Sequence, residues 1–445
     1  MSSERNEKLR PFPFRQLFWK WHLYAGWFGG PLVILIAITG AILVFAPEID
    51  RALRPDLWSL KQSPGPETFA DQPLIDCVRR QYPGSSILRY SQNFRADEPY
   101  YFMVITAGGE VLDVWVNPYT RSIVGTRIWE SSFVRIVEQL HRRLLSDVPG
   151  SIVIELITGW MIVLTLTGLF LWFPRSWKGL KHGLTFSFRG SAYKTNWRLH
   201  NALGAWTALV ILALSLTGML FSYYTGGMYA NLVELASAQK DVPSAPVSPT
   251  GTSLKTIDEL LAKVRQDLPE HRPLEVWLPR KEGGTVTISA TAETRPTWTH
   301  ISSFQKWTFD LGSGELLEHE TWTDRHPLVK FWEFSEAVHF GSVFGWPTKL
   351  IVLVSCLIVP VLSVTGYLIW WWKRQGRLKT ASRQAPMRTS TPTRRRPVSK
   401  ALIACLIVVG IIFPTIGISF LVLLAWEFTL WTWKLSGSVR VQLPR

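Results

Sequence analysis

Cysteine is nearly absent. Cys77, Cys356 and Cys405 are the three in 445 residues, too far apart for a CxxC metal or redox site or for the CxxCH attachment of a c-type haem. A cofactor held through sulfur is therefore not expected. No strand-like run leads into GxGxxG or a P-loop either, so the chain offers no obvious NAD(P)H, flavin or nucleoside-triphosphate site of its own. Acidic residues are also short, 33 against 48 Lys and Arg, and the deficit is local. Residues 1–20 carry five basic and two acidic side chains, 174–198 six basic and none acidic, 373–400 ten basic and none acidic. The rest of the chain is close to balance, with 27 basic against 31 acidic residues. A basic excess confined to three short stretches beside apolar runs is a membrane-topology signal, and no nucleic-acid partner is expected.

Long apolar runs, by contrast, are plentiful. They lie near 23–46, 150–173, 201–224, 348–372 and 401–431, each about the 20 residues a helix needs to cross a hydrocarbon core of roughly 30 Å. Short basic loops stay in the cytoplasm. The chain then reads as a cytoplasmic N-terminus and first span (1–47), an outer domain (48–148), a second span (149–174), a basic loop (175–199) and a third span (200–224). A second outer domain (225–347), fourth span (348–372), basic loop (373–400), fifth span (401–433) and outer tail (434–445) follow. The first run is too long and too far from the N-terminus for a cleaved signal peptide, so a retained helix is expected. Pro414 leaves the last run open between one kinked helix and a re-entrant pair.

Spacing reveals an internal tandem repeat. Gly40 follows His22 by 18 residues, as Gly218 follows His200, each glycine preceded by threonine (Thr39, Thr217). Gly168 follows His141 by 27 residues, as Gly366 follows His339, again after threonine (Thr167, Thr365). Glu138 and Glu336 precede their histidines by three positions, and Pro149 and Pro347 follow them by eight. Two spans per unit keep both copies in one orientation, with a pseudo-twofold axis along the membrane normal. The outer segments match in pattern. A helix over 71–82 precedes strands near 86–92, 100–106 and 111–116, and a helix over 254–267 precedes strands near 274–278, 284–290 and 304–309. The fold class is a membrane helical bundle of about five spans carrying two small α+β outer domains.

The repeat singles out four of nine histidines. His22 and His200 start the first and third spans on the inner side; His141 and His339 precede the second and fourth on the outer side. An axis relating the halves sets each pair face to face. Two neutral imidazoles are a suitable axial set for haem iron, adding no net charge to a low-dielectric bundle. Zinc is the competing metal, but two histidines per level fall short of its usual three or four ligands. Gly26, Gly30 and Gly204 let a flat macrocycle approach the helix. Lys20, Arg15, Arg198, Arg142 and Arg143 are candidate partners for haem propionates. His182, His271, His300, His319 and His326 read as surface residues, with His319 and His326 also within reach of a substrate. The Thr-Gly pairs read as helix packing points. Glu155 and Glu427, inside apolar runs, leave a proton relay and a structural hydrogen bond both open.

A membrane-start histidine, small residues and an apolar Thr-Gly helix, repeated around domains that end in D/N-P-x-T-G-type turns, resemble the PepSY-associated transmembrane helix family over residues 15–375. The turns here read Asn117-Pro118-Tyr119-Thr120-Arg121 and Asp310-Leu311-Gly312-Ser313-Gly314, each a partial departure. The resemblance implies PepSY-like outer domains in the periplasm and a bacterial inner-membrane location. It further implies two haem b groups, on His22 with His200 and on His141 with His339, and reduction of a periplasmic ferric siderophore. Electrons would come from quinol or a cytoplasmic donor, and moving them outward against a negative interior gains about 2.3 kcal/mol per 100 mV. Two other functions stay open: a permease for the metal chelate, and a PepSY module that senses a ligand or regulates a peptidase without catalysis.

Overall fold

The computed structural model describes residues 14–60, 70–92, 95–174, 176–237, 256–268, 272–279, 284–290, 297, 301–381 and parts of 410–429. These divide into two compact units. A helical unit takes the chain up to Ile38, His141–Tyr229 and the chain from Val354; a sheet unit takes Thr39–Leu140 and Ala230–Leu353.

Among the described residues, four helices are long and apolar enough to span a bilayer: α1 (Phe14–Leu43), α6 (Asp147–Trp172), α8 (Ala192–Leu220) and α12 (Trp346–Ala381). The shorter helices are α2 (Ala46–Leu53), α3 (Pro55–Trp58), α4 (Gln72–Gln81), α5 (Phe133–Arg143), α7 (Trp177–Gly183), α9 (Tyr224–Ser237), α10 (Ile257–Asp267) and α11 (Pro327–His339). The first span starts earlier than its apolar run, at Phe14, because nothing in Arg15–Trp21 breaks a helix. The fifth run, 401–431, lies mostly outside the described residues, although Ile416 is buried and its side chain fills the space beside Gly159 of α6. Within the helical unit Val33, Ala37, Ile157, Ile211 and Val359 meet in a common apolar core. Each comes from the face its helix turns inward, the pattern a membrane bundle needs when the other face meets lipid.

In the sheet unit eight antiparallel strands form one sheet in the order β4-β3-β2-β1-β5-β6-β7-β8. They are β1 (Ser86–Ser91), β2 (Tyr100–Ile105), β3 (Val111–Asn117), β4 (Ser122–Ile128), β5 (Leu274–Trp277), β6 (Thr285–Ala290), β7 (Gln305–Asp310) and β8 (Leu316–Thr321). Alternation at period two places Tyr90, Phe102, Val104, Val276, Ile288, Trp307 and Phe309 on one face, where they bury against Leu74, Val78, Leu260 and Val264 of α4 and α10. The two outer helix-and-strand runs are thus parts of one continuous sheet. Its seam is the β1–β5 pairing, with Arg89, Tyr90 and Ser91 opposite Trp277, Val276 and Glu275. The turns closing β3–β4 and β7–β8 use the same device. Asn117 Oδ1 accepts the amides of Tyr119 and Thr120, and Asp310 Oδ1 accepts the amide of Ser313. Each turn ends at a positive φ, 55° at Arg121 and 70° at Gly314. Arg121 accepts there a conformation that favours glycine.

Candidate functional site

His22 of α1 and His200 of α8 make the same pair of contacts with different partners. His22 Nδ1 lies 3.0 Å from the Leu164 carbonyl and 3.1 Å from Thr167 Oγ1 on α6. His200 Nδ1 lies 3.1 Å from the Leu362 carbonyl and 2.9 Å from Thr365 Oγ1 on α12. A carbonyl oxygen only accepts, so Nδ1 carries the proton in both rings. Each threonine hydroxyl spends its own proton on its helix, Thr167 on Val163 O and Thr365 on Val361 O, and so accepts from the imidazole. The neutral ring then has its lone pair on Nε2. This is how a metal-ligating histidine is fixed: one nitrogen anchored to a carbonyl, the other turned to the metal. The Thr-Gly pairs of α6 and α12 therefore do more than pack.

The two rings are neighbours in an edge-on arrangement, their centres 6.3 Å apart and their planes at 89°. His22 and His200 are the residues that would hold a metal or haem iron here, each through its Nε2. Glycines make room for them. A Cβ on Gly168 would stand 3.1 Å from His22 Cε1, and one on Gly366 3.5 Å from His200 Cε1.

Both histidines line a cavity of about 1040 Å³ enclosed by α1, α6, α8 and α12, at the upper end of the size range of cofactor pockets. Its walls are apolar and aromatic, with Gly26, Gly30 and Gly204 among them, and among the described residues its charged lining is Arg15, Lys373 and Arg374 with no carboxylate. Lys373 Nζ sits over Trp19 and Trp197, 5.8 and 5.5 Å from the ring centres. One wall has a local origin. Pro31 lacks the N–H that would bond the Trp27 carbonyl, and Tyr367 donates its hydroxyl to that carbonyl at 2.7 Å. Gly30 leaves room for this contact: a Cβ there would lie 2.6 Å from the Tyr367 oxygen, and the ring would have to shift.

The expected propionate partners do not all line this cavity. Lys20 and Arg198 do not line the cavity; each precedes its histidine by two residues, about 200° around a helix of 3.6 residues per turn. Arg15, seven residues before His22, returns to the same face, and Lys373 and Arg374 follow Gly366 by seven and eight. Sequence reading misses Lys373 and Arg374 because hydropathy assigns them to the basic loop, whereas α12 runs on to Ala381. That i, i+7 spacing was the available signal.

His141 lies in the last turn of α5 and His339 ends α11, helices that lead into the second and fourth spans. They belong to different compact units. Arg142 is exposed and Arg143 half-buried, with Arg143 Nη1 3.7 Å from Asp147. Glu155, fully buried in α6, accepts the Tyr224 amide at 2.8 Å, the Thr225 amide at 3.2 Å and the Thr225 hydroxyl at 2.8 Å. It caps the start of α9, which decides for the structural hydrogen bond over the proton relay. His326 likewise caps α11 by accepting the Leu328 amide, while His319 stacks on Trp307 at 4.9 Å. His182 is exposed in α7. His271, His300, Glu427 and Cys405 lie outside the described residues. Among the described residues no group of three or more His, Cys, Asp or Glu forms a metal site, which leaves zinc short of ligands.

The family model for the PepSY-associated TM region matches residues 19–374 of the chain. No curated protein matches it significantly.

Proposed function

The chain belongs to the PepSY-associated transmembrane family, and we propose that it is a di-haem b electron-transfer reductase that delivers electrons to a periplasmic ferric siderophore. The observation that carries this reading is the His22–His200 pair, two anchored imidazoles set edge-on in an apolar cavity. The donor set suits haem: two neutral nitrogens, a glycine-cut wall for a flat ring, and three cations without a carboxylate for the propionates. Haem bound there, with a second on His141 and His339 of the duplicated unit, would supply one-electron chemistry at two depths of the membrane.

The chain's own residues do the rest. Thr167, Leu164, Thr365 and Leu362 fix the histidine tautomers, so both Nε2 atoms stay available without a rearrangement. Arg15, Lys373 and Arg374 offset carboxylate charge at the end of the bundle where α1 and α8 begin. The core of Val33, Ile157, Ile211 and Val359 keeps water out of the span. Basic loops on one side, as expected for the cytoplasm, put the entry of electrons from quinol or a cytoplasmic donor there and the sheet unit in the periplasm of the inner membrane. Ferric iron in a hard-oxygen chelate takes one electron and, as Fe(II), is held less tightly, which releases it for uptake.

Purified protein should carry two haems per chain with the reduced-minus-oxidised spectrum of histidine-paired iron. His22→Ala should lose one of them and His339→Ala the other, and dithionite-reduced protein should reoxidise on adding a ferric siderophore. Folded protein that stays colourless after expression with ample haem defeats the proposal.

A further inference from the structure

The segment joining α6 to α8 does not run directly between the helix ends. After α7, residues 184–188 turn back along the outside of α8: the Leu184 carbonyl accepts the indole N–H of Trp206 at 3.0 Å, and the Phe186 ring lies 5.7 Å from the Trp206 ring and 5.5 Å from that of Phe188. Trp206 lies 14 residues past Ala192, the first residue of α8, hence about 21 Å along the axis at 1.5 Å per residue. It stands inside the uninterrupted apolar run that follows Asn201. The stretch that hydropathy assigns to a water-facing loop therefore reaches the edge of the hydrocarbon, with the Leu184 carbonyl paired to an indole, as a low-dielectric position requires.

Around it stand aromatic side chains left exposed among the described residues. Trp177 is 83% exposed, Phe188 75% and Phe173 72%. Interleaved with them are the exposed cations Lys178, Lys181, Arg189 and Lys194, and residues 174–198 contain no acid. Trp172 at the end of α6 donates its indole N–H to the Gly183 carbonyl at 3.2 Å, so the C-terminal end of α7 is tied to α6 through Gly183 and to α8 through Leu184. An acidic soluble protein would pair with the cations but would have to meet the aromatic rings at a depth it cannot enter. A phospholipid meets both, acyl chain against ring and phosphate against ammonium.

We propose that residues 176–194, together with Phe173, form an interfacial hairpin that binds anionic phospholipid, with Trp177, Phe188 and Phe173 in the acyl boundary and Lys178, Lys181 and Arg189 on the headgroup phosphates. The site is independent of whether the cavity holds haem.

The test is native mass spectrometry of the full chain in detergent doped with phosphatidylglycerol or phosphatidylcholine. Wild type should retain phosphatidylglycerol preferentially. K178Q/K181Q should lower that retention about tenfold, while R79Q/R80Q, the same charge loss on exposed positions of α4, should leave it unchanged. Phe188→Ser should weaken retention of both lipids. Equal retention of the two lipids by wild type, or unchanged retention in K178Q/K181Q, overturns the proposal. So does displacement of phosphatidylglycerol by millimolar inorganic phosphate, which would mark a bare anion site, or by an acidic soluble protein, which would mark a protein-docking face.

Discussion

Gly168 and Gly366 hold equivalent places in the sequence but should respond differently to one added methyl group. At Gly168 a Cβ meets His22 Cε1 at 3.1 Å, closer than carbon atoms normally approach, so the ring must shift by a few tenths of an ångström; at Gly366 the corresponding 3.5 Å is ordinary contact. Gly168→Ala is expected to weaken haem retention by about tenfold, the lower end of what disturbing a ligand's supporting contacts costs, and Gly366→Ala to be tolerated; pigment per polypeptide after gel filtration reads both. Thr365→Val removes one acceptor from His200 Nδ1 and leaves the Leu362 carbonyl, so its cost should be about 1 kcal/mol, with Thr365→Ser restoring wild-type retention. Equal spacings alone were enough to single out His22 and His200, because a repeat fixes which residues an axis brings together. The threonines' role was not legible, since a hydroxyl in a spanning helix reads as packing until the imidazole it faces is known.

Elements whose sequence period is strong were placed within a few residues: α4, α10 and six of the eight strands, whose alternation of buried and open side chains reports a half-buried sheet. The last strand of each run, β4 and β8, was foreshadowed only by the turn before it, because SIVGTRI and LLEHET lie at sheet edges and carry little apolar alternation. The course of α9 depends on a contact that no local pattern encodes, the buried Glu155 carboxylate at its first turn. Glu155→Leu leaves two amides and a hydroxyl without their acceptor and should cost about 1–3 kcal/mol or more. Glu155→Gln keeps one good acceptor oxygen and should cost less. Thermal unfolding in detergent measures both. Because the carboxylate is a cap, Glu155→Gln should leave the rate of chelate reduction unchanged; a large fall in that rate with stability preserved would restore the proton-relay reading.

At the scale of the whole chain, the continuity of the sheet was the least legible feature, since each outer run reads as a complete small domain and the β1–β5 pairing spans residues 89–277. Beside that seam lies a buried polar knot. Asp71 is fully buried and receives Tyr90 Oη and Gln92 Nε2 on Oδ2, both at 2.8 Å. Its amide donates to Asp258 at 2.6 Å, and Arg265 reaches Gln92 Oε1 at 2.8 Å. Burial pushes the Asp71 carboxyl up to about 6, with Asp258 adding to the rise and the Tyr90 and Gln92 hydrogen bonds opposing it. A carboxyl whose folded pKa exceeds its unfolded value binds its proton more tightly in the folded state. Its contribution to stability is therefore complete below about pH 4 and is lost as pH rises through about 6. A rise of about two pH units, at about 1.36 kcal/mol for each, puts the loss at about 3 kcal/mol. Asp71→Asn, neutral throughout, should remove that decline: between pH 4 and 7 the stability difference, variant minus wild type, should move in the variant's favour. The substitution also turns one buried acceptor into a donor, which shifts the variant's absolute stability, so the slope of the difference against pH is the quantity to read. Amide exchange in strands 86–91 and 274–277 of the full chain reports it where the knot acts. Parallel pH profiles for the two proteins would show that Asp71 stays ionised across this range.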